Sequence, residues 1–522
     1  MKLHIASLTG EFDGVARTDE GMAVFVPGAL PGEDVDARII KQEKRFARAV
    51  LEKVETASAL RREPFCPYYG RCGGCAAQHM EYAASLQAKK QAVEDALSRL
   101  GGLKDVKVEE VVGMAHPFAC RNKTEFAVGS SGTGFIAEGS RRLVEVDDCP
   151  MQKPEANRAA RALTVWKKEH PQADIRHLVT RVNRKGQTAV VLTGYGKEKW
   201  PGLLEHLRKE LHGLVSIHRI RLKNRPVHAL DGVCEKIWGE DFITETLLGV
   251  EYAISPLSFF QVNPDQAEKL YAIAVEMADL HEGVTCVDAY CGVGAISLQL
   301  AKTGAKVLGV EVIPDAVKNA RANAKRNDMT AEFMAADAPE ALIRMRKNGE
   351  KLDVLVVDPP RAGLSEAFVE AALIAEPERI VYVSCNPATL ARDLKRMGDM
   401  YQVQRVKCVD MFPWAGHVET VVLLSQLRQK PDDYIEVDID VIELEGTAEE
   451  SKATYDQIKK YVFEQTGLKV SNLYIAQTKK KCGLELGENF NLPKSENAKQ
   501  PQCPEDKERA IVEALKHFKM VE

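Results

Sequence analysis

The chain has 522 residues, 45% of them hydrophobic and 28% charged, which predicts three or four globular domains and excludes a disordered or fibrous protein. Its net charge of −5 excludes a global basic field, so any nucleic-acid surface must be local. The N-terminus has no apolar leader and no run approaches a membrane span. The 12 Cys therefore point to a reducing cytoplasm, where metal or catalytic thiols are expected before disulfides.

Residues 1 to about 57 alternate short apolar runs with Gly10, Gly14, Gly21, Pro27-Gly28 and Pro31-Gly32. Ala23–Val26 and Asp34–Ile40 read as strands, together suggesting a small OB-like β-barrel. A stripe of Arg38, Lys41, Lys44, Arg45 and Arg48 suits phosphate contact, although a solvated charged face has the same composition. Cys66, Cys72 and Cys75 follow in a C-x5-C-x2-C cluster whose close soft ligands suit a metal or sulfide. Cys149 fits as the fourth ligand, after the expected Leu143–Val146 strand, and Cys120 is its competitor. Zinc and a [4Fe–4S] cluster both suit four thiolates. Tyr82–Leu100 reads as an amphipathic helix. From there to about 264 the pattern is strand-rich, with Arg121, Lys123, Arg181, Arg184, Lys185, Arg219, Arg221, Lys223 and Arg225 at expected loop positions. This reads as a mixed α+β platform facing a polyanion.

Residues 265–427 alternate strands and helices. A strand at Thr285–Tyr290 carries Asp288, and Cys291-Gly-Val-Gly294 turns into a helix; the next strand ends at Glu311. An acid about twenty residues beyond a glycine turn is ribose-binding logic. No third glycine follows at the place a pyrophosphate requires, so a ribose without pyrophosphate suits the site, as in S-adenosylmethionine (SAM). Further strands are expected at 331–335, ending at Asp337, and at Leu352–Val357, running into Asp358-Pro-Pro-Arg361. Val381–Val383 is β-branched and aromatic, and Asn386-Pro387 ends that strand before a helix at Ala388–Met397. Cys385 thus sits where a parallel strand enters a loop, the place where open α/β sheets hold ligands. A small apolar filler is the plainer reading of a lone Cys. Val406–Asp410 and Val418–Leu424 read as an antiparallel pair closing the sheet.

Four patterns coincide: Ser258-Phe-Phe-Gln-Val-Asn-Pro264, Asp288-Ala-Tyr-Cys-Gly-Val-Gly294, Asp358-Pro-Pro-Arg-Ala-Gly363 and Ser384-Cys-Asn-Pro-Ala-Thr389. With His417-Val-Glu-Thr420 after Asp410-Met-Phe-Pro413, residues 1–427 resemble the RNA uracil-C5 methyltransferase family. The N-terminal segment resembles a TRAM domain. Together with the cysteines it points to the iron–sulfur branch acting on 23S rRNA (the RumA type). The resemblance implies that Gln261, Tyr290, Glu311, Asp337 and Asp358 line the SAM and target-base site. It implies Cys385 as nucleophile at uracil C6, with a lowered thiol pKa, and Glu419 as the base at C5. It favours a [4Fe–4S] cluster on Cys66, Cys72, Cys75 and Cys149. Phe259 is a candidate to stack on the splayed nucleotide, with core packing as its plainer role.

The expected fold is therefore an α/β Rossmann-like SAM methyltransferase domain (265–427) with an N-terminal TRAM β-barrel (1–57) and a central α+β iron–sulfur domain (58–264). After Lys430-Pro431 comes a small α/β or helical appendage (428–522) of no assigned role, with an acidic strand at Ile435–Val441 and helices at 447–464, 469–482 and 505–518. The expected protein is a cytoplasmic monomer making 5-methyluridine in 23S rRNA. A tRNA uracil-C5 methyltransferase and a non-catalytic RNA-binding protein on the same scaffold are the alternatives. A radical-SAM methylthiotransferase needs C-x3-C-x2-C, which this cluster is not.

Overall fold

The computed structural model describes residues 1–196 and 200–427 and, beyond them, 455–466, 468, 470, 472–482, 503–518 and 520–521. Two compact units are present, Met1–Asp432 and Asp433–Glu522.

The first unit opens with a six-stranded sheet in the order Lys2–His4, Asp34–Gln42, Phe46–Thr56, Ala23–Pro27, Asp13–Arg17, Ser7–Leu8. Alternate residues of Asp13–Arg17 and Ala23–Pro27 are buried, the period-two signature of a strand with one wet face. They pack Ala16, Val24 and Val26 with Ile5, Ala37 and Ala47 in one core. Register shifts along the Asp34–Gln42 and Phe46–Thr56 pair mark bulges, which bend a sheet around such a core. The basic stripe of Arg38, Lys41, Lys44, Arg45 and Arg48 is exposed.

The central sheet has seven strands in the order Gly232–Gly239, Leu214–Leu222, Thr188–Gly194, His177–Val182, Lys123–Val128, Thr133–Ile136, Leu143–Glu145. Helices Pro154–Glu169 and Leu203–Glu210 bury Leu163, Trp166 and Leu207 against Phe126, Leu178, Val190 and Leu192 of one sheet face. The expectation of loop-borne cations holds for Arg121, Arg184, Lys185, Lys223 and Arg225 and is corrected for the rest. Lys123, Arg181, Arg219 and Arg221 stand within strands. Arg184 bonds Asp265 and Glu268 at 2.8 Å, and Lys223 pairs with Asp231 at 2.7 Å. Charge at alternating strand positions resembles loop composition when the second sheet face is polar, which hid the strands.

The third sheet is built from elements numbered here in chain order: α1 (Pro264–Ala278), β1 (Thr285–Ala289), α2 (Ala295–Ala301), β2 (Lys306–Glu311), α3 (Pro314–Arg326), β3 (Glu332–Ala335), α4 (Ala338–Lys347), β4 (Val354–Val357), α5 (Glu366–Ala375), β5 (Arg379–Ser384), α6 (Pro387–Met397), β6 (Tyr401–Val409) and β7 (Glu419–Gln426). The strand order is β3-β2-β1-β4-β5-β7-β6. Five strands are parallel, and β7 inserts antiparallel between β5 and β6. Buried on both faces, β4 reads Val-Leu-Val-Val and β5 Ile-Val-Tyr-Val, the continuous apolar runs of a covered parallel sheet. Helix α4 is absent from the expected elements. Asp337, expected as a strand-end ligand, is also its N-cap and accepts from the Glu340 N–H at 3.4 Å.

A helix at Tyr82–Arg99 ties this sheet to the cysteine segment. Its Lys89 is fully buried, donating to Asp410 Oδ1 at 2.5 Å and to the Phe412 carbonyl at 2.9 Å. Tyr82 donates to the other Asp410 oxygen at 2.6 Å.

In the second unit, helices Tyr455–Thr466, Asn472–Lys481 and Glu505–His517 pack Ile458, Val462, Ile475, Ile511 and Leu515 together. The expected strand at 435–441 lies outside the described residues. No described helix is long and apolar enough to cross a membrane.

Candidate active site

The carboxyl ends of β1, β2, β4 and β5 share one edge of the sheet, and β7, running the other way, begins there. β5 and β7 pair Ser384 with Thr420, so the residues just past that pair, Cys385 and Glu419, are brought side by side. β4 pairs with β5 up to Val357 and Tyr382, which sets Asp358 beside the same point. The sheet's register alone therefore gathers a thiol and two carboxyl groups drawn from three segments of sequence. Glu419 is 4% exposed. Burial, reinforced by Asp358, pushes its carboxyl up to about 8, with Arg361 opposing. Burial likewise raises Asp358 to about 7.

The half-buried Cys385 departs from expectation. Its thiol is pushed up, first by burial and then by Glu419 and Asp358, against the pull of Arg361. The expected lowering overlooked the burial of the sulfur and, after it, the two acids that register brings beside it. Arg361 and His417, which had no assigned role, complete the rim. Arg361 Nη2 lies 3.3 Å from His417 Nε2, and its carbonyl accepts from Asn386 Nδ2 at 3.2 Å. Their signal was present in the two quoted motifs, since both flank the catalytic candidates.

At the β1 end, Asp288 is buried and accepts from Ser297 Oγ at 2.5 Å, while its Oδ1 has no partner. Burial raises it to about 7. The turn after β1 needs its glycine: Gly294 has φ +81°, and a Cβ there would lie 3.1 Å from the Phe333 ring. Glu311 closes β2, accepting from Gly292 N–H at 3.2 Å and Ile313 N–H at 2.9 Å. A carboxylate has about four acceptor sites, so capacity for two ribose hydroxyls remains. Tyr290, in the left-handed region at φ +66°, stacks its half-buried ring at a tilt near Phe368, 5.4 Å between centroids. Asp337 is exposed at the mouth of this edge.

Gln261 is buried on the segment leading into α1. Asn122 clamps that segment to the central sheet, its Nδ2 donating to the Gln261 carbonyl at 3.2 Å and its N–H to the Val262 carbonyl at 2.7 Å. Asn263 caps α1 and donates to the Met411 carbonyl at 3.2 Å. Phe259 is 72% exposed, which removes core packing as its role.

Away from this edge, Cys66, Cys72, Cys75 and Cys149 line one cavity of about 520 Å³ together with Tyr68, Tyr69 and Arg121. Cys120 packs against Met151 and Trp414 outside that lining. Four thiols on one cavity are a donor set that fits a soft metal group. Among the described residues, however, no three His, Cys, Asp or Glu are spaced to hold a metal ion, so the expected cluster has no support from the geometry beyond the four thiols lining one cavity. Burial raises the Cys72 and Cys149 thiols and takes Cys75 to about 11.

The strand order and this ligand edge define a SAM-dependent methyltransferase fold. A family model described as tRNA (Uracil-5-)-methyltransferase matches residues 235–427, and one described as TRAM domain matches 4–51. Proteins named uncharacterized RNA methyltransferase are similar along most of their length. One from Halalkalibacterium halodurans is 38% identical over 81% of this chain and 96% of its own, and one from Clostridium tetani is 39% identical over 82% and 96%. A crystal structure of Pyrococcus abyssi tRNA (uracil-54, C5)-methyltransferase in complex with S-adenosyl-L-homocysteine (SAH) is 29% identical, with TM-score 0.67 over 81% of this chain and 100% of that one. The chain belongs to the RNA uracil-C5 methyltransferase family, with a TRAM domain ahead of its SAM-dependent catalytic sheet.

Proposed function

We propose that this protein makes 5-methyluridine in 23S rRNA, with Cys385 as nucleophile and Glu419 as base. The observation that carries the residue roles is the β5–β7 register, which sets the thiol beside a buried carboxyl. Uracil C5 is too weak a nucleophile to take a methyl group unaided. Cys385 Sγ adds to C6, and the electrons of the C5–C6 bond move onto C4–O4 as an enolate. SAM, when bound, would supply an electrophilic methyl on its sulfonium, which C5 would take as the S–CH3 bond breaks and SAH is left. Glu419 then removes the C5 proton, the C5–C6 double bond re-forms and the thiolate leaves. Gln261, Tyr290, Glu311, Asp337 and Asp358 would hold the cofactor and target base at the edge described, with Phe259 free to stack on the nucleotide.

Cys66, Cys72, Cys75 and Cys149 would hold a [4Fe–4S] cluster in their cavity, with a structural or RNA-organising role, because methyl transfer has no redox step. Anaerobically purified protein should then be brown, with roughly four irons per chain; colourless protein with stoichiometric zinc would exclude it.

The cysteines support the 23S reading through the iron–sulfur branch. The tRNA reading is favoured by the substrate named for the Pyrococcus enzyme. Mass mapping of 23S rRNA and tRNA from a deletion strain separates them, since 5-methyluridine should vanish from 23S rRNA alone. For the residue roles, Cys385→Ala should abolish methylation and leave SAH binding intact. Glu419→Gln should accumulate a denaturation-resistant RNA adduct that Cys385→Ala cannot form. Methylation by Cys385→Ala would sink the nucleophile assignment.

A further inference from the structure

On the second face of the central sheet, four strands present one cross-strand row. Lys123 pairs with Arg181, Arg181 with Ala189, and Ala189 with Ser216. Neighbouring strands lie about 4.8 Å apart, so these side chains stand shoulder to shoulder. The row lines a small, partly open cavity together with Val179, Val191, Phe242, Ile243, Ile254 and Pro256. Two cations directly opposite each other repel, and burying a guanidinium without a counter-charge is expensive.

Among the described residues little compensates: the charge of Glu125 partly offsets the burial of Lys123, and no carboxylate bonds Arg181. Arg181 is 7% exposed and, among the described residues, donates only to the Ser258 carbonyl, at 2.9 Å, leaving Nη1 buried without a partner. Ser216 is 1% exposed, and its Oγ is likewise unpartnered. Glu125, two residues beyond Lys123, is exposed and forms no ion pair among the described residues. Burial alone lowers the Arg181 guanidinium to about 10, as expected where no carboxylate faces it. Ala189, the small residue in the row, leaves the space between guanidinium and hydroxyl open.

We propose that the row Lys123–Arg181–Ala189–Ser216 is a phosphate-type oxyanion site, filled by a phosphodiester of the bound RNA. Arg181 and Lys123 supply the counter-charge and fork of donors, and Ser216 a neutral donor. Through the Ser258 carbonyl the site adjoins the segment that carries Phe259 and Gln261, so an anchored phosphate would steady the nucleotide-handling residues. The RNA source rests on the functional reading above; the oxyanion chemistry does not.

The test uses the full chain. Melting is followed against inorganic phosphate and against chloride at matched ionic strength, and binding of a labelled oligouridylate is followed against salt. Wild type should show a saturable, phosphate-specific rise in melting temperature that Arg181→Met abolishes and Ser216→Ala weakens. Arg181→Met should also lower oligouridylate affinity about tenfold and reduce the salt slope by about one. SAH titrations should be unchanged in both variants, which separates failure of this site from failure of the methyltransferase reading. A phosphate response with unaltered RNA binding would support the site and overturn RNA as its source. Absence of a phosphate response in wild type, with RNA affinity unmoved by Arg181→Met or Ser216→Ala, overturns the proposal.

Discussion

At the catalytic edge burial pushes the carboxyl groups of Asp288, Asp358 and Glu419 up to between about 7 and about 8, opposed by the Ser297 hydrogen bonds at Asp288 and by the exposed Arg361 at Glu419. On the central sheet the signs are reversed: Arg181 and Lys123 are held down by burial and no carboxylate bonds them. Between these cases stands Lys89, fully buried but bonded to an equally buried Asp410. The difference separates two uses of buried charge. A satisfied pair is structure, because its members meet each other's needs. A set of one sign is strain that the fold retains for a ligand of the other sign. The acidic edge suits a cationic sulfonium cofactor, and the basic row suits an oxyanion.

The sharpest way to break this comparison is to remove one charge from each region. Lys89→Met leaves Asp410 buried without its cation, with only the Tyr82 hydroxyl still bonded to it among the described residues, and should cost about 3–5 kcal/mol of unfolding free energy. It should also loosen the loop ahead of Glu419, since Lys89 holds the Phe412 carbonyl. Arg181→Met in anion-free buffer should instead change stability by no more than about 1 kcal/mol, the lost Ser258 hydrogen bond being offset by relief of an unpaired charge. Urea midpoints of the two variants measure this directly. Equal losses would mean that Arg181 is as structural as Lys89.

The acidic edge makes a second, smaller prediction through pH. These carboxyl groups have folded-state values above their ordinary range, so their stabilising contribution is present below the ordinary carboxylate value of about 4 and is lost progressively as pH rises to about 7 to about 8. A cation bound among them should recover it. SAM carries a sulfonium and SAH does not, so the affinity ratio of SAM to SAH should grow about tenfold, ~1.4 kcal/mol, between about pH 6 and about pH 9. Calorimetric titration of both ligands checks it. A ratio flat with pH would show that the acids do not face the sulfonium.

Much of this was legible in the sequence. β-branched runs marked β4 and β5, Asn-Pro and Asp-Pro-Pro marked their ends, and spacing alone suggested Glu311. Tertiary register was not legible. That Glu419 meets Cys385 follows from an antiparallel insertion of β7, which no local pattern encodes. The raised thiol follows first from its burial in the fold and then from the same meeting. Cys149 was the preferred fourth ligand in the sequence and Cys120 its competitor, and the fold brings Cys149 to the cavity with Cys66, Cys72 and Cys75. The row of Lys123, Arg181 and Ser216 was hidden for the same reason, because its members lie on three separate strands. Helix α4 was missed because Asp337 suits both a strand-end ligand and an N-cap.

The smallest effects belong to exposed charge, which tests the comparison from its other side. Arg38, Lys41, Lys44, Arg45 and Arg48 all face water on the N-terminal sheet, so none carries a burial cost and replacing any one should move stability by less than about 0.5 kcal/mol. Their contribution to RNA should be electrostatic, and unequal. Arg38 already bonds Glu52 at 2.7 Å and Lys41 bonds Glu43 at 2.8 Å, whereas Lys44 and Arg45 form no ion pair among the described residues. A phosphate can displace a solvent-exposed carboxylate only at the cost of that pair, so Lys44→Gln and Arg45→Gln should each reduce the salt slope of RNA binding by about one, and Arg38→Gln and Lys41→Gln by less. Four salt titrations decide it. Equal slopes across the four variants would show that pairing does not govern which exposed cations reach RNA, and would confine the paired-versus-unpaired distinction to buried charge.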